Sequence, residues 1–97
     1  MDQSFLNVKI RGDSMWPSYK DGDTIECHEY KGEDVLRNDI IVFTHPFKSD
    51  TICVKRVKRV TDDGIFVEGD NPDPLSSEDS HNFGLVKISS IIAIKVA

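Results

Sequence analysis

A single serine in a short turn is the first residue of this chain that could do covalent chemistry. Residues 12–17 read GDSMWP and place Ser14 between a glycine and a proline. A turn with these boundaries, after a predicted strand, can hold a hydroxyl exposed at a rigid edge. A serine hydroxyl is a weak nucleophile, however, and needs an adjacent base that takes its proton. The histidines His28, His45 and His81 are scattered along the chain. No Ser-His-Asp set is evident, although sequence separation alone does not exclude one.

Two lysines in identical settings are the alternative bases. Residues 54–60 read VKRVKRV and contain Lys55 and Lys58. A lysine acts as a base only when it is neutral, and half-neutrality near pH 7.4 requires its pKa to fall by about three units, or roughly 4 kcal/mol. Desolvation at an apolar site can supply such a shift. Residues three apart on a regular strand point to opposite faces, so at most one of the two lysines can meet Ser14.

Four sequence boxes in a fixed order resemble the signal-peptidase family of Ser/Lys proteases. They are the GDSMWP turn followed by Asp21-Gly22-Asp23, NDIIVF at residues 38–43, VKRV at residues 54–57, and GDN at residues 69–71 running on to SSEDS. Asn38 stands where the family has glycine, and asparagine tolerates a left-handed turn best after glycine. The resemblance implies that Ser14 is the nucleophile. The family spacing from the base to the GDN box favours Lys55 over Lys58, which lies nearer the turn at residues 62–64 and is expected in solvent.

The same resemblance implies roles for the loop that follows the GDN box. Matching from the Asp-Ser end makes Ser77 the serine that orients the lysine, with Ser76 as the alternative, and makes Asp79 the structural aspartate. His81 occupies the position where the family usually has arginine. The usual Asp–Arg pair would then be replaced by a pH-dependent contact or by none.

Other positions bear on the oxyanion and the substrate. Some relatives have a serine two residues before the nucleophile that helps to hold the oxyanion, and this chain has Gly12 there. The backbone N–H of Ser14 would remain as one donor, with the second donor unidentified. Met15 and Trp16 are candidates for lining a substrate groove, and ordinary packing is the alternative for Trp16.

A narrower likeness is to the nickel-type superoxide dismutase maturation proteases, which are short members of the same family. It rests on the small size, on His45-Pro46 after a predicted strand, and on VEGDNP at residues 67–72. It implies an endopeptidase that removes an N-terminal leader from the precursor of a nickel superoxide dismutase. Small residues near the cut are the family expectation, and we expect no metal or other cofactor in the protease.

The amino-acid composition argues against several classes of binding partner for this protein. The net charge of −5 disfavours binding to nucleic acid or to an anionic membrane, because each of these partners requires a basic face on the protein. No apolar run approaches the roughly 18–20 residues of a membrane span, and the first residues lack the pattern of a signal peptide. The two cysteines, Cys27 and Cys53, fit a reducing cytosol. We therefore expect a cytoplasmic protein that acts on a precursor protein, without nucleic acid and without membrane insertion.

The elements that must position these residues are predicted to be strands. Alternating or short β-branched apolar runs predict strands at residues 6–10, 24–29, 39–44, 51–61 and 65–68, with one or two more within 85–96. Residues 69–84 read as a polar loop, and no amphipathic helix of three turns is evident. The prediction is a single mainly β domain over residues 1–97. It would have a signal-peptidase/SOS-repressor-like fold of two small antiparallel sheets or a partly open barrel.

Two other functions compete with the leader peptidase. SOS-type and phage repressors share the Gly-Asp-Ser-Met phrase in C-terminal domains that dimerise and cleave their own linker. Against this alternative, residues 1–13 contain no DNA-binding domain and no small-residue linker, and Pro17 and the GDN box favour a peptidase; a chain that is a fragment would keep this alternative open. The third alternative is the soluble core of a membrane-bound signal peptidase.

Overall fold

Six strands form one antiparallel sheet in the computed structural model, which describes residues 4–96. The strands are β1 (Phe5–Lys9), β2 (Thr24–Glu29), β3 (Ile40–His45), β4 (Lys48–Thr61), β5 (Gly64–Glu68) and β6 (Ile91–Lys95). Their order across the sheet is β1-β2-β6-β3-β4-β5, so β1 and β5 are the two edges. The only α-helix among the described residues is α1 (Ser80–Phe83). No helix in this part of the chain is long and apolar enough to cross a membrane.

The sheet is buried on both faces at its centre. In β3, Ile41 and Phe43 pack into one apolar cluster, while Ile40 and Val42 pack into another. Successive side chains of a strand point to opposite faces, so a central strand buried on both faces is continuously apolar. The second cluster includes Ile10, at the end of β1, and Met15. The segment that carries Ser14 is therefore anchored directly in the core.

Besides the edge strand β5, two stretches near Ser14 and Lys55 lack a partner strand on one side among the described residues: β1 and the first half of β4. Strand β1 pairs only with β2. Strand β4 is 14 residues long, but it pairs with β5 only from Arg56 to Thr61. The first half of β4 therefore has a partner on the β3 side and none on the other among the described residues.

The predicted mainly β class and all the predicted strands are confirmed, with end points that differ by up to three residues. The prediction of two small sheets is replaced by one six-stranded sheet that does not close into a barrel. Within residues 85–96 the chain forms only β6, while Val86 makes an isolated bridge to Ile65. The left-handed turn expected at Asn38 is present, with φ 78°.

Candidate active site

Ser14 and Lys55 line the same cavity, which lies between the end of β1 and the first half of β4. Its volume is about 260 Å³. The apolar part of its wall consists of Val8, Ile10, Met15, Ile52 and Val54. Ser14 is half-buried there. The sheet thus brings together two polar groups that lie 41 residues apart in the sequence.

Lys55 is buried because of its place in the sheet. It lies directly opposite Ile41 of β3, and only 6% of its surface is exposed. Burial lowers the pKa of the Lys55 ammonium below its ordinary value, while Cys53 and the carboxylates of Asp79 and Glu78 oppose that change. Within residues 4–96, Lys55 has no carboxylate at ion-pair distance. This environment favours the neutral amine, the form that can accept a proton.

Lys58 has a different environment despite its identical sequence setting. Its side chain is 43% exposed, and its Nζ lies 3.7 Å from a carboxylate oxygen of Glu68. The pairing of β4 with β5 shifts register between Val57 and Arg59, so Lys58 lies in a bulge. Lys58 is not part of the cavity wall.

The turn around Ser14 is closed by short-range hydrogen bonds. The N–H of Gly12 donates to Asp21 Oδ1 at 2.7 Å, and Gly12 has the left-handed φ of 79° that glycine adopts without strain. Met15 is 1% exposed and lines the cavity, whereas Trp16 is 48% exposed and lies outside the cavity wall. Among residues 4–96, the N–H of Ser14 forms no backbone–backbone hydrogen bond.

The GDN box holds the Ser14 turn from the other side. The backbone N–H of Asn71 donates to the carbonyl of Ser14 at 3.0 Å, and its side-chain amide donates to the carbonyl of Asp13 at 2.8 Å. A Cβ on Gly69 would lie 2.5 Å from the carbonyl oxygen of Ser14 and closer still to Ser77 Oγ. Only glycine fits between these two groups.

Ser77 and Asp79 form the next layer around Gly69. The hydroxyl of Ser77 and the N–H of Gly69 face the same oxygen of Asp79, at 3.5 and 3.4 Å. Asp79 also caps helix α1. By contrast, the hydroxyl of Ser76 lies 3.3 Å from Asp73, within its own 3₁₀ turn. Of the two alternatives, Ser77 is therefore the one beside the Ser14 turn.

His81 keeps a contact with Asp79 where the family has arginine. Its Nδ1 donates to Asp79 Oδ1 at 2.9 Å, and its Nε2 lies 3.6 Å from Glu68. The ring packs edge-on against Phe66, with 5.0 Å between centroids. Asp79 therefore has an imidazole partner in place of the arginine that the resemblance implies.

A charged network links the boxes, and sequence reasoning did not identify it. Arg56 Nε and an Nη nitrogen donate to the two oxygens of Asp70 at 2.8–3.2 Å, and its other Nη donates to the carbonyl of Asn38 at 3.0 Å. Ser18 donates to Asp70 as well, at 2.7 Å. Burial opposes ionisation of Asp70, but the hydrogen bonds from Arg56 and Ser18 keep the pKa of Asp70 below its ordinary value. The signal in the sequence was present, since Arg56 and Asp70 both belong to the boxes.

A second unidentified contact ties β3 to the loop that carries Ser77. His45 is 5% exposed and packs edge-on against Phe83. Its Nδ1 accepts the N–H of Phe47 at 3.0 Å, so in the neutral ring Nε2 carries the proton and donates to Glu78. That hydrogen bond and, to a smaller extent, the charge of Lys48 keep the pKa of Glu78 below its ordinary value.

A family model matches residues 2–89, and its description is "Peptidase S24-like". The chain belongs to the Peptidase S24-like family. That family holds serine peptidases and repressor-type proteins, some of them without catalytic activity. Its match covers all the boxes that resemble the signal-peptidase family. None of the curated proteins compared with the chain matches it.

Proposed function

We propose that the protein is a serine endopeptidase with a Ser14/Lys55 dyad. The observation that supports the proposal is the shared cavity, whose wall includes both the half-buried Ser14 and the buried Lys55, with the pKa of Lys55 lowered by burial. The family assignment supports the same chemistry. A buried lysine without a carboxylate partner costs stability when it is charged, so this environment favours the neutral amine that a general base requires.

The proposed reaction proceeds by acyl transfer. Neutral Lys55 takes the proton of Ser14 Oγ as that oxygen attacks the scissile carbonyl carbon. The N–H of Ser14 stabilises the negative charge on the carbonyl oxygen. Lys55 then passes its proton to the leaving amine, which departs as the C–N bond breaks. Water attacks the acyl-enzyme with Lys55 again as the base, and Ser14 is restored.

The substrate is proposed to bind as an extended strand between the two open sheet edges. The N–H of Ile10 donates to Asp23 on the β2 side, so the backbone groups of its neighbours Lys9 and Arg11 point towards the open edge of β1. On β4, the N–H of Val57 donates to Asp39 on the β3 side. By the same alternation, the backbone of Val54 points away from β3. Both edges border the cavity, and an added strand gains backbone hydrogen bonds along each.

The proposed substrate is the leader-bearing precursor of a nickel superoxide dismutase, with small residues at the cut. This part of the proposal rests on the narrower likeness, including His45-Pro46 and VEGDNP at residues 67–72. The cytoplasm is the proposed compartment, because Cys27 and Cys53 are both free thiols.

The experiment compares the parent protein, Ser14→Ala and the control Ser49→Ala, each incubated with the purified precursor and followed by mass spectrometry. Ser49 is an exposed serine of β4 outside the cavity wall. We expect one cleavage product with the parent and with Ser49→Ala, and none with a folded Ser14→Ala. Undiminished cleavage by Ser14→Ala would eliminate the dyad. A different outcome is that the parent leaves this precursor intact and cleaves other leader-bearing proteins in a reaction that Ser14→Ala abolishes. In that case the proposed substrate is wrong and the proposed chemistry stands.

The second candidate is a repressor-type domain that dimerises or cleaves its own chain, and the family assignment is the observation that favours it. It predicts a stable dimer at micromolar concentration and no cleavage of a precursor added in trans. Sedimentation of the purified protein, alongside the cleavage assay, separates the two candidates. A membrane signal-peptidase core, the third alternative, would instead cleave the leaders of exported proteins.

A further inference from the structure

The outer face of the β1 edge carries two cations beside the proposed substrate strand. Val8 and Ile10 turn their side chains into the core, so Lys9 and Arg11 turn theirs to the opposite face. Both cations are exposed. Both residues border the cavity, where their backbone groups face the open edge.

Neither Lys9 nor Arg11 forms an ion pair with a carboxylate within residues 4–96. The strand register pairs Lys9 with Thr24, which is uncharged, and the acidic Glu26 pairs with Asn7 and lies diagonally from Lys9. An open cationic edge is notable in a protein whose net charge is −5.

We propose that Lys9 and Arg11 select substrates with acidic side chains at alternate positions of the bound strand. This inference rests on the proposed function, because it requires a peptide to pair with the edge of β1. Every second side chain of such a peptide lies on the outer face, directly beside or diagonal to Lys9 and Arg11. Opposite charges in these places stabilise the pair, and like charges repel. The intervening side chains turn to the cavity and meet its apolar wall.

The size of the effect follows from cross-strand pairs in general. Such a pair contributes about 0.2–1 kcal/mol, which corresponds to roughly 1.4- to 5-fold in affinity per pair. Two pairs give at most about 25-fold at low ionic strength. Because both cations are exposed, added salt will reduce the preference. The expected signature is an effect on KM with little change in kcat, since the charges lie away from the reacting atoms.

The experiment uses labelled eight-residue peptides with an Ala-Ala bond and a single Glu, Gln or Lys at each other position in turn. Cleavage is measured with the parent protein, and binding is measured by fluorescence anisotropy with Ser14→Ala. We expect Glu to be preferred over Gln, and Gln over Lys, at every second position only. The preference should disappear in the double variant Lys9→Gln/Arg11→Gln. It should persist in Lys31→Gln/Lys87→Gln, which removes the same charge from positions outside the cavity wall.

Each remaining outcome separates this inference from the proposed function. Cleavage without an alternating charge preference overturns the inference and leaves the peptidase in place. Charge-dependent binding without cleavage supports the inference and contradicts the peptidase. Lysine on an edge strand can also serve to prevent pairing with another copy of the chain. If the double variant only self-associates in sedimentation while the peptide preferences stay unchanged, the inference is wrong.

Discussion

Replacing Gly69 by alanine tests whether the GDN box sets the position of Ser14, the proposed nucleophile. The backbone of Gly69 is not in the left-handed region, so the added methyl causes strain only through the space it occupies. The methyl carbon would lie 2.5 Å from the carbonyl oxygen of Ser14, whereas an ordinary van der Waals contact of such a carbon is at least 3.4 Å. The other close neighbours are the hydroxyl oxygen of Ser77, which can rotate, and Ser77 Cβ at 2.9 Å, which cannot; a backbone carbonyl cannot move alone either. The Ser14 turn and the Gly69 strand end must therefore separate by close to 1 Å.

The expected magnitudes differ for stability and for activity. Overpacking of this kind typically costs about 1–3 kcal/mol in the free energy of unfolding. A displacement of about 1 Å at a reacting group can cost on the order of 100-fold in rate. We therefore expect Gly69→Ala to fold with reduced stability and to cleave at roughly one hundredth of the parent rate under saturating substrate.

The assay pairs urea unfolding with single-turnover cleavage of the precursor. Gly32→Ala is the control, because Gly32 has a left-handed φ of 90° and no neighbour within 4 Å of the added methyl. It should lose about 1–2 kcal/mol through backbone strain and keep the parent's rate, since it lies outside the cavity wall. A Gly69→Ala variant with the parent's rate and stability would refute the argument that this contact fixes Ser14.

Three further predictions concern the charges around the site. Asp70→Asn should lower the free energy of unfolding by about 1–3 kcal/mol and slow cleavage, because Arg56 and Ser18 lose their ionised acceptor. The urea midpoint of this variant is compared with that of Asp63→Asn, a control in an exposed turn. Equal losses of stability in the two variants would contradict the prediction. Lys55→Met should raise the urea midpoint most at pH values below the folded-state pKa of Lys55, which burial lowers. Between that lowered pKa and about pH 10.5 the unfolded chain binds more protons than the folded chain, so the stability of the parent rises with pH and the advantage of the variant shrinks. Cleavage should continue in the presence of a metal chelator, because the serine and the lysine supply both nucleophile and base; a loss restored by added metal would reveal a different chemistry.

The sequence was most informative where patterning is local. The strand at residues 24–29 has the predicted limits, because its apolar and polar residues alternate between turn residues at both ends. The left-handed Asn38 also followed from residue type alone. The two-sheet prediction failed because the pairing of β2 with β6 and of β6 with β3 joins all strands into one sheet. Which strands pair across such long sequence separations cannot be predicted from the residues of each strand alone.

The site could be predicted only in part for the same reason. The boxes indicated Ser14 and Lys55 as candidates, and the structure places both at one cavity. Lys55 and Lys58 have identical neighbours in sequence, and their difference arises from the opposite strand and a bulge. The contact of Gly69 with Ser14 and the link of His45 to Glu78 join segments far apart in the chain, so no spacing rule reveals them.

The most direct test of the Ser14/Lys55 dyad is the cleavage rate of Lys55→Met and Lys58→Met across pH. Methionine keeps the bulk of the lysine stem and removes the amine. Lys55→Met should lose at least about 100-fold in rate at every pH, since no base remains for Ser14, whereas Lys58→Met should keep the parent's rate. The parent rate should rise with pH through an apparent pKa below 10.5, because burial lowers the pKa of Lys55. A fully active Lys55→Met, or a folded but inactive Lys58→Met, would contradict the account.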